Sequence, residues 1–256
     1  MKIKFLGTGT SMGVPVVACK CNVCMSNDPR DKRLRSSVKI ELNGLNIVID
    51  AGPDFRTQAL RADITMVDAL LLTHEHRDHI AGLDDIRSFN YLSGKPMDIY
   101  CESRVAMVVR NVFDYSFRTE KYPGIPEMNL INIENKAFLI NNTIEVLPIR
   151  VMHSQLPVFG YRINDFAYIT DLNYISDEEK KKIIGVNTLV VSGLRKKTHI
   201  SHYTMGEAIN LIQEIKPKLG LITHISDQLG KHAEIELELP PNIRLAYDDL
   251  EIISND

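Results

Sequence analysis

Residues 67–86 read VDALLLTHEHRDHIAGLDDI, an apolar run followed at once by three histidines and two acids. A simple turn would favour Gly, Asn or Pro. In an extended segment alternate side chains share a face, so His74 and His76 point the same way, and Asp78 and His79 follow where a helix begins. Solvated histidines and an Asp78 helix cap explain any one of these residues alone. Together, H-x-H-x-D-H predicts a metal site.

Three more polar residues end apolar stretches in the second half of the chain. They are His153 in EVLPIRVMH, Asp171 in FAYITD and His224 in LGLITH. Taken singly, each is equally well explained as a buried histidine or a turn aspartate. Four groups in one loop cannot enclose two ions, so a dinuclear centre needs ligands from elsewhere. Their common position predicts that these strand ends meet the histidine-rich loop.

The remaining segments alternate between strand-like and helical patterns. Asn43-Gly44 joins two strands of an opening β-meander as a hairpin. Helices are expected over about residues 80–91, over SRVAMVVRNVFDYSF, and after capping boxes at Ser176/Glu179 and Thr204/Glu207. IRLAYDDLEI reads as one closing strand. No low-complexity linker divides the chain, so we predict one α/β domain over residues 1–256, a four-layer αββα sandwich.

Composition limits the partners and the compartment. The net charge of −3 is spread in alternating signs, so the composition does not favour a nucleic-acid partner. The apolar stretches fall far short of the roughly 20 residues that a membrane span needs, and no signal peptide is recognised. Three of the four cysteines lie within six residues, which suits metal chelation in a reducing compartment. A cytoplasmic location is expected.

Nearly the whole sequence resembles the metallo-β-lactamase superfamily. The resemblance rests on FLGTGTS, IDAGPDF and THEHRDHIAGL, followed in order by the three strand-end residues. It implies a sandwich of the metallo-β-lactamase type, with an aspartate, Asp50, that braces the ligand loop from behind. It also implies one metal on His74, His76 and His153, a second metal on Asp78, His79 and His224, and Asp171 as the bridge between them.

Within that superfamily, the sequence is similar to the PhnP-type cyclic phosphodiesterases. The shared features are CKCNVC, GPDFRTQ, and SHYTMGEA upstream of LITHIS. The similarity implies hydrolysis of a cyclic phosphodiester, phosphoribosyl or nucleotide-like, by a hydroxide bridging two divalent ions, Zn²⁺ or Mn²⁺. Asp78 and His202 are the expected catalytic residues, with His202 beside the leaving group and His199 as a weaker candidate. A homodimer is also implied.

The motif C-x-C-x-x-C, formed by Cys19, Cys21 and Cys24, predicts a structural zinc. The alternative of free surface thiols is less favoured, because exposed thiols clustered in this way oxidise readily. The PhnP-like pattern places a histidine three residues after the last active-site histidine, where this chain has Asp227. A carboxylate can complete a zinc tetrahedron, and His232 lies close in sequence, so both remain candidates, with Asp227 preferred. The fourth cysteine, Cys101, is expected in the core.

Several alternatives remain at this stage. Arg56 and Arg87 are candidates for binding a substrate phosphate, although surface arginines are commoner than phosphate clamps. A transfer-RNA-processing nuclease shares the same ligand pattern, but its basic glycine-rich arm is not found here. A thioester or lactam hydrolase fits the same fold. A regulatory protein with only a structural metal is disfavoured by the complete ligand pattern together with His202.

Overall fold

The computed structural model describes residues 1–120 and 122–254, which form two mixed β-sheets. The first sheet contains β1 (Lys2–Gly7), β2 (Ser37–Leu42), β3 (Leu45–Ile49), β4 (Ala69–Leu71), β5 (Met97–Cys101), β6 (Met128–Asn132) and β15 (Glu251–Ile253). The second contains β7 (Phe138–Ile140), β8 (Ile144–His153), β9 (Leu156–Ile163), β10 (Phe166–Ile169), β11 (Tyr174–Ile175), β12 (Thr188–Ser192), β13 (Leu219–Thr223) and β14 (Ile243–Leu245).

Each sheet is antiparallel on one side and parallel on the other. The first has the spatial order β15-β1-β2-β3-β4-β5-β6, and its pairs from β3 to β6 are parallel. The second has the order β11-β8-β9-β10-β12-β13-β14, with β7 paired to β8, and its pairs from β10 to β14 are parallel. The carboxyl ends of neighbouring parallel strands therefore lie along one edge of each sheet.

Helices cover the outer faces of both sheets. They are α1 (Phe55–Arg61), α2 (Arg77–Ile80), α3 (Arg87–Ser93), α4 (Ser103–Val112), α5 (Asp177–Lys181), α6 (Met205–Ile215) and α7 (His232–Glu236). One buried apolar cluster lies between the sheets and takes residues from both, including Phe5 and Tyr161. Two further clusters join each sheet to its helices, one around Phe55 and the other around Ile212. This layering confirms the predicted αββα sandwich.

The predicted helix over residues 80–91 is wrong as a single element. The chain forms α2, then a 3₁₀ turn over Leu83–Ile86, then α3. The break falls at Gly82, whose backbone N–H donates to the carbonyl oxygen of Ala51 at 2.9 Å. A side chain at Gly82 would place its Cβ 2.0 Å from the carbonyl oxygen of Gly52. This close backbone approach fixes the chain just after the ligand loop and stops a regular helix.

Two other local predictions need correction. At α5 only half of the capping box forms: the Ser176 hydroxyl accepts from the Glu179 N–H at 3.3 Å, while the Glu179 carboxylate accepts instead from Asn135 and from the Arg150 N–H. IRLAYDDLEI divides into β14 and β15, which belong to different sheets. Between them, the Asp248 carboxylate accepts from the N–H groups of Thr8 and Leu34 and turns the chain. The box at Thr204 and Glu207 is complete.

The predicted single domain extends over Lys121, Asn255 and Asp256, which lie outside the described residues, and it remains a prediction. Across the part of the chain that the structure describes, no helix combines the length and the apolar character needed to cross a membrane.

Gly82→Ala tests the contact that fixes the ligand loop. A Cβ atom there meets backbone rather than a flexible side chain, so the loop must shift, and overpacking of this kind typically costs about 1–3 kcal/mol. We expect a lower free energy of unfolding by denaturant titration and weaker metal binding. Gly206→Ala is the matched control, because its Cβ would meet only the Thr204 hydroxyl at 3.9 Å. Equal stability of the two variants would contradict the assignment.

Candidate metal centre

Four strand ends bring the candidate ligands together. The histidine-rich loop follows β4, His153 ends β8, Asp171 follows β10 and His224 follows β13. Asp171 and His224 adopt the left-handed conformation, with φ of 52° and 56°. Residues other than glycine take this conformation at a cost and are enriched there at functional sites. The chain therefore turns sharply at the points where these side chains enter the cluster.

The first group of potential ligands consists of His74, His76 and His153. One ring nitrogen of each lies within 4.8 Å of those of the other two. His153 Nδ1 lies 2.8 Å from the carbonyl oxygen of Ser201, which can only accept, so Nδ1 carries the proton and Nε2 is free to bind a cation. His74 Nε2 is buried and has no hydrogen-bond partner among the described residues.

The second group consists of Asp78, His79, Asp171 and His224, again with ligand atoms within 4.8 Å of one another. His79 Nε2 lies 3.2 Å from Asp78 Oδ2, and His224 Nδ1 lies 3.2 Å from Asp171 Oδ1. His79, Asp171 and His224 are almost completely buried. Mixed imidazole and carboxylate ligands suit zinc and manganese.

Asp171 lies between the two groups. Its Oδ1 is 3.5 Å from His79 Nε2, while its Oδ2 is 3.9 Å from His74 Nε2. The Thr170 hydroxyl donates to Oδ1 at 2.6 Å. One carboxylate thus presents an oxygen to each group, as a bridging ligand requires.

Asp50 lies behind the ligand loop rather than in it. Its carboxylate accepts from the N–H and the hydroxyl of Thr73, both at 2.8 Å, and from His79 Nδ1 at 2.7 Å. This contact leaves His79 Nε2 facing Asp78 and Asp171. The geometry agrees with the bracing position expected for Asp50.

The charges at the centre favour a cation. Burial lowers the pKa of His74 well below its usual value, and the neighbouring His79 lowers it further. Burial also opposes the charged form of His79, but the carboxylates of Asp78, Asp171 and Asp50 outweigh it and raise the His79 pKa well above its usual value. These carboxylates therefore stabilise positive charge at the position that a metal ion would take. The residues fit the metals that the sequence predicts.

His202 lies beside both ligand groups. Its ring centroid is 4.5 Å from that of His153 and 5.0 Å from that of His224. Potential ligand atoms of His202, His153 and Asp171 also lie within 4.8 Å of one another. Burial lowers the pKa of His202 to about 3, so the ring is neutral near pH 7 in the protein alone. A phosphate anion beside it would favour the protonated form. His199 lies further out, 5.1 Å from His202 between centroids, with its Nδ1 facing the hydroxyl of Ser201.

The cysteine motif forms a separate cluster with Asp227. Asp227 Oδ2 lies 3.8 Å from Cys19 Sγ and 3.5 Å from Cys21 Sγ, and Cys24 completes the group. The other candidate, His232, lies elsewhere: its Nδ1 is 3.1 Å from Arg33 Nη2. Of the two, the structure brings Asp227 to the cysteines.

The remaining residues singled out in the sequence, Cys101, Arg87 and Arg56, lie outside the two ligand groups. Cys101 is fully buried in the core, as predicted. Arg87 pairs with Asp84, and exposed Arg56 lines a groove between α1 and α3. Neither arginine contacts the metal-ligand groups among the described residues.

Sequence patterns missed several residues that hold the ligands in place. Thr10 Oγ1 lies 3.3 Å from His224 Nε2, and Ser36 Oγ lies 3.1 Å from His224 Nδ1. Glu75, between two ligand histidines, pairs with Arg104 on α4. The hydroxyls in GTGTS were a signal for Thr10, since hydroxyl groups beside a glycine turn often serve as hydrogen-bond partners. Ser36 and Arg104 carry no comparable local signal.

Comparisons with known proteins agree with this architecture. A family model described as a beta-lactamase superfamily domain matches residues 45–225. The crystal structure of a new diphosphatase from the PhnP family superposes with a TM-score of 0.92 at 36% identity, covering 99% of this chain and 98% of that one.

Two curated relatives match with shorter coverage of their own length. A Porphyromonas gingivalis protein named octanoyltransferase is 41% identical over 99% of this chain and 51% of its own length. A ribonuclease Z of Methanococcus maripaludis is 23% identical over 63% of this chain and 47% of its own length. This chain thus spans about half the length of these two relatives. The family match and the sandwich together place the chain in the metallo-β-lactamase superfamily, as a PhnP-like member.

Proposed function

We propose that this protein is a phosphodiesterase that hydrolyses a cyclic phosphodiester of phosphoribosyl or nucleotide-like type. The observation that carries the proposal is the position of Asp171 between two ligand groups, with His202 beside both. This arrangement suits two divalent cations, Zn²⁺ or Mn²⁺, and a small substrate whose phosphate lies over them.

Each residue of the candidate centre has a separate role in this proposal. One cation would be held by His74, His76 and His153. The other would be held by Asp78, His79 and His224, and Asp171 would contact both. Two cations held in this way would supply an activated water and would polarise the phosphoryl group. His202 would bind the departing oxygen and pass to it a proton taken up from water. Asp50 keeps His79 in the orientation that faces the cluster.

Coverage favours phosphoryl chemistry over the other reactions considered for this fold. The PhnP-family diphosphatase matches this chain along the full length of both proteins. The ribonuclease Z relative is less similar, and the match covers 47% of its length. The net charge of −3 also disfavours a polyanionic RNA. We therefore expect a small-molecule substrate.

Thioester hydrolysis is the second candidate. It is favoured by the Porphyromonas gingivalis relative, whose name denotes transfer of an octanoyl group. That name describes a protein about twice as long as the matched region. It therefore supports acyl chemistry in this chain only indirectly, whereas the PhnP-family match spans both proteins and supports phosphate chemistry more directly. An octanoyl thioester belongs in any substrate panel.

The cysteine cluster is proposed to hold a structural zinc. Three thiol groups and the carboxylate of Asp227 form a ligand set of the size that a tetrahedral site needs. Burial raises the pKa of Cys24 to about 12, so a bound cation would be needed to keep that sulfur as thiolate near pH 7.

Asp171→Ala tests the dinuclear proposal. Loss of the shared carboxylate should abolish nearly all hydrolysis of cyclic phosphodiesters while circular dichroism shows an intact fold. The wild type should hydrolyse those substrates and bis(p-nitrophenyl) phosphate with Mn²⁺ or Zn²⁺, and leave an octanoyl thioester and a β-lactam intact. The exposed carboxylate variant Asp177→Ala is the control. Full phosphodiesterase activity in Asp171→Ala, or a wild type active only on the thioester, would refute the proposal.

His202→Ala tests the role of His202 at the leaving group. General acid catalysis is typically worth about 10²- to 10⁴-fold, so the variant should lose that much activity on a 1,2- or 2′,3′-cyclic phosphate, whose ribose alkoxide needs a proton. The loss should be much smaller on bis(p-nitrophenyl) phosphate, since p-nitrophenolate leaves without one. His199→Ala should show no such difference. Equal losses on both substrates would assign His202 to phosphate or metal positioning instead.

Cys21→Ser tests the zinc proposal. The variant should lose one metal equivalent and unfold at lower temperature, because binding at a structural site contributes to folding free energy. Cys101→Ser, which replaces a buried thiol outside the cluster, is the control and should keep its metal content. Unchanged zinc and unchanged thermal stability in Cys21→Ser would show that the cluster is not a metal site.

A further inference from the structure

The cysteine cluster and the second ligand group are attached to the same short segment. His224 immediately follows β13 and belongs to the second group, and Asp227 stands three residues later and faces the cysteines. Residues 224–227 therefore connect the two groups, and Ser226 between them donates to the Leu194 carbonyl oxygen through its N–H at 3.0 Å and its hydroxyl at 2.9 Å.

The beginning of this segment is held by residues 8–10. The Ile225 N–H donates to the Thr8 carbonyl oxygen at 2.9 Å, and the Thr10 N–H donates to the Ile225 carbonyl oxygen at 3.1 Å. The Thr10 hydroxyl lies 3.3 Å from His224 Nε2. This backbone pairing fixes the position of His224 from one side.

The chain leaving Thr10 leads directly to the cysteines. It pairs with the strand-like segment at Arg33 through Val14, with N–O distances of 2.9 Å and 2.6 Å. It then carries Cys19 and Cys21 to within 3.8 Å of Asp227. One loop thus carries both Thr10, which contacts His224, and the cysteines, which face Asp227. A cation between the thiols and Asp227 would connect this loop to residues 224–227 at both ends.

His224 needs such support. Its φ of 56° is left-handed, a conformation that the surroundings must impose on a residue other than glycine. Without a cation, the contacts between the cysteines and Asp227 are thiol–carboxylate approaches of 3.5 Å and 3.8 Å, which are weak hydrogen bonds at most.

We propose that Asp227 is a positioning residue through which the cysteine-site cation holds His224 in the active centre. The cysteine cluster thereby sets the affinity of one active-site cation, the one held by Asp78, His79 and His224. The cation held by His74, His76 and His153 should depend on it much less, because His74 and His76 follow β4, His153 ends β8, and the shared Asp171 is what connects them to the second group. This inference rests on the proposed dinuclear centre.

A different effect on the two active-site cations would distinguish a positioning role of Asp227 from general destabilisation of the fold. A variant that merely destabilises the fold weakens both active-site cations together. Loss of the Asp227 contact should weaken one of them by about 10- to 100-fold, the range typical of residues that orient a metal ligand, and change the other, linked to it through Asp171, much less.

The experiment is a stepwise Zn²⁺ titration of the metal-free full-length protein by calorimetry, with nitrogen-labelled histidine NMR to show which rings bind. The wild type should bind three equivalents. Asp227→Ala should lose the cysteine-site equivalent and show weakened binding at the His224 ring, with the His153 ring much less affected. Asp227→His, which supplies another zinc ligand, should restore both. Cys21→Ser should behave as Asp227→Ala does, while Cys101→Ser should keep the wild-type pattern.

The outcomes are distinct. If Asp227→Ala loses only the cysteine-site equivalent and binds at His224 with wild-type affinity, the coupling is overturned and the proposed function stands. If the His224 and His153 signals weaken equally, the effect is general destabilisation and the coupling is likewise overturned. A wild type that binds no Zn²⁺ through its histidines would overturn the dinuclear centre itself, and with it this inference.

Discussion

Burial of carboxylates among histidines is the interaction on which the rest of the structure depends. Asp50 and Asp171 are removed from solvent, and Asp78 lies beside them. An ionised carboxylate without a partner is costly in such surroundings. The cluster is favourable only where positive charge balances it, from a protonated imidazole or, in the proposed function, from divalent cations. The arrangement of the strand ends serves to keep these opposite charges together.

The fold provides this arrangement through parallel strands. Because the two sheets pack face to face and their parallel strands end at the same side, residues far apart in sequence reach one edge without long loops. The contact between Gly52 and Gly82 then fixes the chain that leaves the ligand loop. Strand ends carry the candidate ligands, and the adjacent loops carry His202 and the cysteines.

Much of this centre could be predicted from the sequence, because its signals are local. A polar residue that ends an apolar strand is visible in the letters, as at His153 and Asp171, and the spacing within H-x-H-x-D-H shows which side chains share a face. The structure confirms the sandwich and brings these residues together. The break at Gly82 and the split of IRLAYDDLEI could not be predicted, since each depends on a contact with a distant segment. Ser36 was missed for the same reason.

The position of Asp227 shows where resemblance and structure complement one another. The sequence left Asp227 and His232 open as the fourth group of the cysteine cluster, since both lie within reach along the chain. Three-dimensional packing separates them, because His232 is held by Arg33 and by Asp31, whose carboxylate accepts from the His232 N–H at 2.7 Å. Asp227, which stands where the family pattern has a histidine, therefore still offers the cysteine cluster a fourth ligand.

The most direct measurement is anomalous diffraction from crystals of this protein grown with Mn²⁺ and Zn²⁺. Two peaks should lie on either side of the Asp171 carboxylate, one next to His74, His76 and His153 and the other next to Asp78, His79 and His224. The absence of any peak among these residues, in crystals where the cysteine cluster is occupied, would contradict the dinuclear centre.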